Sequence, residues 1–448
     1  MDKRTFLKVT SVLVTGSFFK PPFHYRPEED IGTNWAGNYR YRAKQLHLPN
    51  KVSMVQQLVR ESEKVRILGS RHSFNSIADS PQDLVSLKNL DPDIAIDEKN
   101  QGVWVSGGVR YGELAQRLQK NGYALHNLAS LPHISIAGAC ATATHGSGIQ
   151  NGNLATAVSG LEFVSADGEL HRLTREEHGA EFLGSVVNLG GVGAVTRIRL
   201  DIEPTYQVSQ YVYRNLSGGH LEHHFNEIMS SGYSVSLFTD FRENSINQVW
   251  IKTRNDDAPS FDGNNSLFDA RPADRHMHPI ADISAENCTR QMGMPGPWHR
   301  RLPHFRMDFT PSSGDELQAE YFVPLEHGAE AISEIFQISE RVAPHLLISE
   351  IRTIAADQLW MSPCYRQPSV TIHFTWKPDW TSVKKVLPVI EERLAPYDVR
   401  PHWGKLFTMS PRVLQSRYEK LPDFKALLAE FDPEGKFRNR FLEEYLYS

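Results

Sequence analysis

The chain has few cysteines, little net charge and no long apolar run, and each absence excludes a class of protein. Its three cysteines (Cys140, Cys288 and Cys364) are too few for a disulfide framework, and none forms a zinc-type pair. A net charge of −5 creates no strong field that would favour nucleic acid or an acidic membrane as a partner. No repeat, no low-complexity tract and no segment able to span a bilayer is present in the sequence.

The composition of the chain is that of a soluble globular protein. Of its 448 residues, 40% are hydrophobic and 23% are charged. This length fits two or three domains and is sufficient to bury a large core. We expect a monomer.

The first 30 residues differ in character from the rest of the chain. A basic pair, Lys3 and Arg4, precedes Thr5 and a modest apolar stretch. The pattern resembles a twin-arginine export signal with Lys3 in the place of the first arginine. Because the apolar stretch is short and no small-residue cleavage site follows, an ordinary N-terminal extension is an equal alternative. Two cellular locations are therefore possible: the protein is exported, or it stays in the cytoplasm.

Residues 31–204 alternate short apolar runs with helical patterns, which is typical of the α+β fold class. The periodicity predicts two helices, at residues 52–64 and 111–121. It predicts short strands at residues 65–68, 82–87, 94–96, 103–106 and 195–202. A hairpin is predicted from residues 161–165 and 170–173, around Asp167–Gly168.

Residues 205–400 have longer strands with alternating polarity, which predict a large antiparallel sheet with one face covered by helices. The predicted strands are residues 235–239, 248–252, 317–323, 347–354 and 370–376. The predicted helices are residues 219–230, 327–342 and 383–394. Residues 254–304 are rich in Pro, Asp, Asn and Gly and are expected to be irregular. Residues 401–448 return to short helices.

Three turns rich in glycine and small residues could hold a nucleotide phosphate. Backbone N–H groups approach a phosphate closely where no Cβ intervenes. The turns are Gly69–Ser70, Gly107–Gly108, and the stretch that ends at Gly148. His72 projects from the first turn. Any one of these turns, taken alone, is more often a tight loop without a ligand.

Polar residues alternate along three predicted strands, so they would share one face of each strand. The pairs are Gln318 with Glu320, Glu350 with Arg352, and His373 with Thr375. Neighbouring faces of this kind could bind several hydroxyl groups. From the residues alone, solvent-exposed faces with cross-strand ion pairs are the favoured interpretation.

Four separated motifs resemble the vanillyl-alcohol-oxidase superfamily of FAD enzymes. They are ILGSRHSF at 67–74, SLPHISIAGACATATHGSG at 130–148, RPHWGK at 400–405 and FDPEGKF at 431–437. The alditol and xylitol oxidase branch is the most similar, with the sugar-lactone oxidases as cousins, and TNWAGN and SLFTDFR fit that branch. The resemblance implies a PCMH-type FAD-binding domain at 31–204, a substrate-binding cap domain at 205–400, and a segment at 401–448 that returns to the FAD domain.

The resemblance implies that His72 carries FAD covalently through the 8α carbon of the flavin. A neutral imidazole nitrogen is the nucleophile that such a bond requires. Further implied FAD contacts are Ile67, Leu68, Gly69, Ser70, Arg71, Ser73, Ser130, Ser135, Gly138, Thr142, Ala143, Thr144, His145, Val195 and His402. Arg71 and Ala143 stand where the family commonly has glycine, and we expect both to add bulk near the flavin.

The resemblance also implies a set of alditol-binding residues. They are Ser130, Gln318, Glu350, Arg352, His373, Thr375 and Lys405. Arg352, Lys405 and Glu350 are the expected catalytic residues. Lys405 and Arg352 would hold the reacting hydroxyl and lower its pKa. Glu350 and Ser130 would bind the next hydroxyls, and His373 and Thr375 would bound the far end of the substrate. Ala129 is expected near the reactive edge of the flavin.

The expected activity is the FAD-dependent oxidation of the terminal hydroxyl of a linear alditol, such as xylitol or sorbitol, with O₂ reduced to H₂O₂. A sugar-1,4-lactone oxidase or dehydrogenase is an alternative, because that branch has a similar Glu-x-Arg pair. A non-catalytic sugar-binding protein of the same fold is a further alternative. His276 and His278 alternate without an evident third ligand, so no metal site is expected.

Overall fold

The computed structural model describes residues 31–255, 266–309 and 315–448. The segment that resembles an export signal therefore lies outside the described residues. In these three ranges, no helix has the length and apolar character needed to cross a bilayer.

The first part of the chain builds three small sheets, the smallest of which is the antiparallel pairing of Tyr123–Ala124 with Glu203–Pro204. Strands β1 (Gln45–His47), β2 (Val65–Ile67) and β3 (Asp83–Val85) form a parallel sheet in the order β1–β3–β2. An antiparallel sheet in the order β4–β5–β8–β6–β7 is built from β4 (Ala95–Asp97), β5 (Gly102–Ser106), β6 (Val158–Val164), β7 (Leu170–Thr174) and β8 (Ala194–Asp201). The hairpin predicted around Asp167–Gly168 is β6–β7 and is confirmed.

Four helices accompany these sheets: α1 (Val52–Glu61), α2 (Tyr111–Lys120), α3 (Ile136–Ala141) and α4 (Arg175–Val186). In α2, Tyr111, Leu114 and Leu118 are buried at helical spacing, and this pattern made the helix predictable. The patterns did not predict α3 and α4. Helix α3 has only six residues. In α4 the apolar period is interrupted at Gly179, whose φ of 45° kinks the helix.

The middle of the chain forms a nine-stranded antiparallel sheet, hereafter the large sheet. Its order is β9–β11–β10–β13–β14–β12, with three two-residue strands pairing at its edges. The strands are β9 (Gln207–Ser217), β10 (Ser234–Thr239), β11 (Ser245–Arg254), β12 (Leu317–Pro324), β13 (Leu346–Ile354) and β14 (Ser369–Trp376). Strand β9 was not predicted, because Ser209 and Gln210 are buried and hide its alternation.

The two faces of the large sheet differ in character. On β14, Phe374 stacks on Trp376 with ring centroids 5.0 Å apart, and it contacts Phe241, which packs against Phe336. The helices of this region are α5 (Gly218–Met229), α6 (Gly328–Gln337), α7 (Ser339–Val342) and α8 (Trp380–Leu394). Phe336 belongs to α6. The alternate residues, His373 and Thr375, line a cavity on the other side, hereafter the cavity face. The predicted helix-covered sheet is therefore confirmed.

The C-terminal segment packs against the first part of the chain. It contains α9 (Pro411–Ser416), α10 (Leu421–Phe431) and a final helical turn. The Asn439 side chain donates to the Asp79 carbonyl at 2.8 Å. The buried Arg66 guanidinium donates to four carbonyl groups, those of Ile77, Leu189, Gly190 and Phe437. The expected domain limits at residues 204 and 400 stay predictions.

Candidate active site

A cavity of about 410 Å³ lies between the loops of the first part of the chain and the cavity face of the large sheet. Its volume is in the range of small-molecule sites. One side is lined by residues 66–74 and by parts of 129–145, and the other by strands β12, β13 and β14. The cavity therefore joins the two groups of residues that the sequence had marked separately.

Two of the glycine-rich turns meet at this cavity. A Cβ at Gly69 would lie 2.5 Å from Ser135 Oγ, so only glycine allows the two loops to approach this closely. The Ser135 N–H donates to Ser70 Oγ at 2.9 Å, and the Ser70 N–H donates to Ser135 Oγ at 3.3 Å. These reciprocal hydrogen bonds join the loops into one wall.

The third turn, Gly107–Gly108, does not line the cavity. A Cβ at Gly107 would lie 2.3 Å from the Val195 carbonyl oxygen, and one at Gly108 would lie 2.3 Å from the Leu87 carbonyl oxygen. These glycines serve the close packing of strands rather than a ligand in this cavity.

His72 is held by the segment that precedes β1. The Trp35 ring lies over the imidazole with centroids 5.1 Å apart. The Trp35 N–H donates to the Arg71 carbonyl at 2.8 Å, and the Asn34 side chain donates to the Ser73 carbonyl at 2.9 Å. Burial, with smaller contributions from nearby positive groups, lowers the pKa of His72 to about 4. The imidazole is therefore neutral at pH 7, as a covalent flavin bond requires.

The backbone at positions 71 and 143 has a conformation that glycine adopts most easily. Arg71 and Ala143 both have positive φ, 65° and 53°, in the left-handed region that favours glycine. The Arg71 guanidinium donates to the carbonyl oxygens of Ile31 and Thr33 and lies over the Tyr41 ring. Ala143 is not among the residues that line the cavity, so its expected place near the flavin stays a prediction.

Most of the implied FAD contacts lie together along one wall. The cavity is lined by Ile67, Leu68, Gly69, Ser70, Arg71, His72, Ser73, Ser130, Ser135, Gly138, Thr142, Thr144, His145 and His402. Ala143 and Val195 are exceptions: both are buried behind the lining, and the Val195 carbonyl packs against Gly107. Backbone, small side chains and a neutral imidazole form a wall that fits a flavin nucleotide. These residues would hold FAD.

The opposite wall is built from cross-strand rows on the cavity face. Glu320 pairs with His373, and His373 pairs with Glu350, so three titratable residues stand side by side on β12, β14 and β13. In the next row, Gln318 pairs with Thr375. Lys405 and Ser130 line the same cavity. All the implied alditol-binding residues are therefore brought together.

Glu320 is the common acceptor of three basic side chains. It lies 3.0 Å from Arg352 Nη2, 2.7 Å from Lys405 Nζ and 3.2 Å from His145 Nε2. Burial alone would raise the pKa of Glu320, but Lys405, His145 and Arg352 hold it well below its usual range. The alternation with Gln318 placed Glu320 on this wall, but nothing in the sequence showed its partners.

Glu350 and Arg352 form a second contact group in the cavity wall. Arg352 Nε lies 3.4 Å from Glu350 Oε1, and Arg352 Nη1 donates to Ser130 Oγ at 3.3 Å. His304 Nε2 lies 2.6 Å from Glu350 Oε1. Two buried carboxylates thus face two cations, the buried Arg352 and the half-buried Lys405, and this balance makes the burial of these charges possible.

His373 offers an unused polar atom. Its Nε2 is buried without a hydrogen-bond partner among the described residues. Burial, together with the neighbouring Lys405, lowers the pKa of His373 to about 3, so the ring is neutral. Because a buried polar atom is costly without a partner, this nitrogen is suited to a ligand hydroxyl.

The predicted irregular segment supplies residues that sequence reasoning missed. His304 and Phe305 line the cavity, and the N–H groups of both face the Ser130 carbonyl at 3.2 Å. No periodic signal marked them. His278 also lines the cavity, whereas His276 Nδ1 accepts from the Gln291 N–H at 3.3 Å. In the described part of the chain, no group of three metal-ligating side chains is found.

Comparison with known proteins gives matches along most of the chain. A family described as "FAD binding domain" matches residues 43–174, and one described as "D-arabinono-1,4-lactone oxidase" matches residues 314–445. An alditol oxidase of Streptomyces sp. is 46% identical over 418 residues, which is 92% of this chain and 98% of the relative. An L-gulono-1,4-lactone dehydrogenase of Mycobacterium tuberculosis is 24% identical and spans 93% of this chain and 99% of the relative.

Solved structures show the same fold. A cholesterol oxidase from B. sterolicum superposes with a TM-score of 0.76 at 15% identity, over 93% of this chain and 96% of that one. A solvent-stable cholesterol oxidase gives 0.75 at 16% identity, over 92% and 97%. The expected α+β fold, with an FAD-binding domain and a large antiparallel sheet, is confirmed.

Proposed function

Because the chain belongs to the alditol oxidase family of FAD-dependent oxidoreductases, we propose that it oxidises the terminal hydroxyl of a linear alditol to the aldose while O₂ becomes H₂O₂. The observation that carries this proposal is the pair of cations, Arg352 and Lys405, held by the buried Glu320 in the same cavity as His72. The proposed substrates are linear alditols such as xylitol and sorbitol.

The cofactor would lie along the wall formed by residues 67–73 and 135–145. When bound, FAD accepts a hydride equivalent from the alcohol carbon and passes two electrons to O₂. The chain's own contribution is to hold the ring system and to present a neutral imidazole at His72 for the covalent bond. Ala129 lines the cavity next to Ser130, which supports its expected place near the reactive edge.

Arg352 and Lys405 would stabilise the negative charge that develops on the reacting hydroxyl oxygen. Charges act strongly in a buried site that excludes water, and they cost no reorganisation when they are already in place. Burial lowers the pKa of Lys405, and Glu320 opposes that shift. Glu320 therefore helps to keep Lys405 charged and keeps the two cations from repelling one another.

The remaining polar side chains would bind the hydroxyls that do not react. Glu350 and Ser130 adjoin Arg352 and would contact the hydroxyls next to the reacting carbon. His373, through its unpaired Nε2, and Thr375 would bound the far end of the substrate. A wall of alternating donors and acceptors favours a flexible polyol over an apolar alcohol.

The test is an anaerobic stopped-flow screen of flavin bleaching with xylitol, sorbitol, aldoses and L-gulono-1,4-lactone, followed by readmission of air. We expect alditols to bleach the flavin fastest and H₂O₂ to appear with oxygen. Faster bleaching by the lactone would replace this proposal with a lactone oxidase or dehydrogenase. A colourless protein that still binds polyols would replace it with a binding protein.

We also propose that the enzyme is a monomer. Light scattering of the purified protein is expected to give about 51 kDa, in line with its chain mass of 50.8 kDa. Twice that mass would contradict the proposal.

A further inference from the structure

Lys252 is a buried cation that the proposed reaction does not use. It lies on β11 of the large sheet with 1% of its surface exposed, and it does not line the cavity. Its Nζ lies 3.1 Å from His304 Nδ1 and also donates to the Leu302 carbonyl. Lys252, which lies behind the wall of the cavity, therefore forms a continuous chain of contacts with His304 and Glu350, which line it.

The hydrogen-bonding capacity of these groups settles where the proton of His304 sits. Burial alone would raise the pKa of Glu350, but Arg352 and His304 hold it well below its usual range, so its ionised carboxylate can only accept a hydrogen bond. The single proton of the neutral His304 ring is therefore on Nε2, which donates to Glu350 Oε1 at 2.6 Å. His304 Nδ1 is then without a proton and accepts from Lys252 Nζ.

We propose that Lys252 and His304 are positioning residues for the substrate-binding carboxylate of Glu350. Lys252 holds His304 as the Nε2–H tautomer, His304 holds Glu350 Oε1, and Oε2 is left to accept a substrate hydroxyl. Among the described residues, the hydrogen bond and ion pairs of the Glu350 side chain all involve Oε1. This inference rests on the proposed function, which places a polyol against Glu350.

The charges around the contacts between Lys252, His304 and Glu350 support the same arrangement. Burial and the neighbouring Lys252 lower the pKa of His304 to about 4, while Glu350 opposes that shift. Burial lowers the pKa of Lys252 to about 7, where Glu350 opposes and Arg352 adds to the shift. The remaining titratable neighbour of Lys252 is Cys288, whose thiol pKa burial raises to about 12, so it stays neutral.

Loss of Lys252 should therefore change the protonation of His304. In Lys252→Met, Nδ1 has no donor and the neighbouring positive charge is gone, while the Glu350 carboxylate remains. The ring should then take up a second proton near neutral pH and become a cation paired with Glu350. A cation competes with the substrate for the carboxylate, so alditol binding should weaken as pH falls.

The first measurement is histidine ¹⁵N NMR of the FAD-loaded enzyme, with His304→Gln used to assign the signal. We expect a neutral Nε2–H ring in the wild type between about pH 6 and 9, and a ring that titrates at least about one pH unit higher in Lys252→Met. Lys252→Arg, which keeps both donors, should restore the wild-type signal. An Nδ1–H ring in the wild type would overturn the proposal.

The second measurement is the pH dependence of kcat and KM for xylitol. Lys252→Met and His304→Gln should raise KM by about tenfold or more and change kcat by less than about threefold, because Glu350 binds a hydroxyl that does not react. In Lys252→Met the rise in KM should steepen below neutral pH, and Lys252→Arg should be near wild type.

The matched control is Gln210→Met on the adjacent strand β9. Gln210 is fully buried, pairs across the sheet with Lys252, and donates to the Thr289 carbonyl at 3.3 Å. Among the described residues its hydrogen bonds go to Thr289 and Arg290 and not to His304 or Glu350, so its KM and pH profile should match the wild type. Equal changes in Gln210→Met and Lys252→Met would show a merely structural role and overturn the proposal. If no alditol bleaches the flavin, the proposed function fails, and the NMR measurement alone then decides the tautomer.

Discussion

Replacing Glu320 by glutamine removes one charge from a site where two cations, the buried Arg352 and the half-buried Lys405, depend on it. The side chain has no solvent exposure and lies 3.0 Å from Arg352 Nη2 and 2.7 Å from Lys405 Nζ. A glutamine oxygen can accept from one of these cations, but its amide group would point N–H bonds at the other. Leaving a buried charge without its partner typically costs about 3–5 kcal/mol. We therefore expect Glu320→Gln to lower the free energy of unfolding by that amount.

The stabilisation of the transition state should fall by a comparable free energy, and activity should fall with it. Once Glu320 no longer opposes the effect of burial, the pKa of Lys405 falls further and its charge is lost more readily. A loss of about 3 kcal/mol of transition-state stabilisation corresponds to roughly a 100-fold decrease in kcat/KM. The effect should be smallest at acid pH, where Lys405 stays protonated.

Two assays measure these effects: urea unfolding followed by tryptophan fluorescence, and steady-state turnover of xylitol. The matched control is Glu316→Gln, the same chemical change four residues earlier on the polypeptide, at a half-buried side chain. It should cost about 1 kcal/mol or less. The reasoning is refuted if Glu320→Gln is within about 1 kcal/mol of the wild type and within about threefold in kcat/KM.

The pH dependence provides a further check on Glu320. Its folded pKa is held well below the unfolded value of about 4.3, so its contribution to stability is fully present above that value. The contribution is lost as pH falls through the unfolded pKa towards the folded one. The difference in stability between the wild type and Glu320→Gln should therefore shrink below about pH 4.

Four further residues can each be tested by a single substitution. Arg352→Ala should lower kcat/KM for xylitol by about 10² or more while the flavin stays bound, as stopped-flow bleaching would show. His72→Ala should release its flavin into the supernatant on acid precipitation, whereas the wild type stays yellow in the pellet. His373→Leu should raise KM more than it lowers kcat, because it binds a hydroxyl that does not react. Burial lowers the pKa of Lys252 to about 7, against about 10.4 in the unfolded chain. Between these values the unfolded state binds more protons, so the free energy of unfolding of the wild type should rise from about pH 7 to 10. Lys252→Met should abolish that rise.

Each of these predictions has a result that contradicts it. Near-normal turnover in Arg352→Ala would remove that residue from the reaction. Flavin that resists acid extraction from His72→Ala would place the covalent bond elsewhere. An unchanged KM in His373→Leu, or a pH-independent stability of the wild type in the alkaline range, would refute the other two.

Much of the candidate site was predictable because its parts are local. Residues two apart on a strand share a face, so each of the pairs Glu350–Arg352 and His373–Thr375 could be assigned to one face before any strand order was known. The close approach at Gly69 and the half-buried His72 beside it lie within a few residues of one turn. The resemblance then placed these parts in one cavity, and the structure brings them together there.

The sequence by itself determined the strand faces, the turn that carries His72 and the family to which the chain belongs. Only the tertiary structure showed that Glu320 holds both cations, that Ala143 and Val195 lie behind the cavity wall, and that Lys252 contacts His304. Lys252 and His304 are 52 residues apart, and Arg352 and Ser130 are 222 apart. Contacts at such separations depend on strand order and on the path of an irregular segment, and local periodicity carries no information about either.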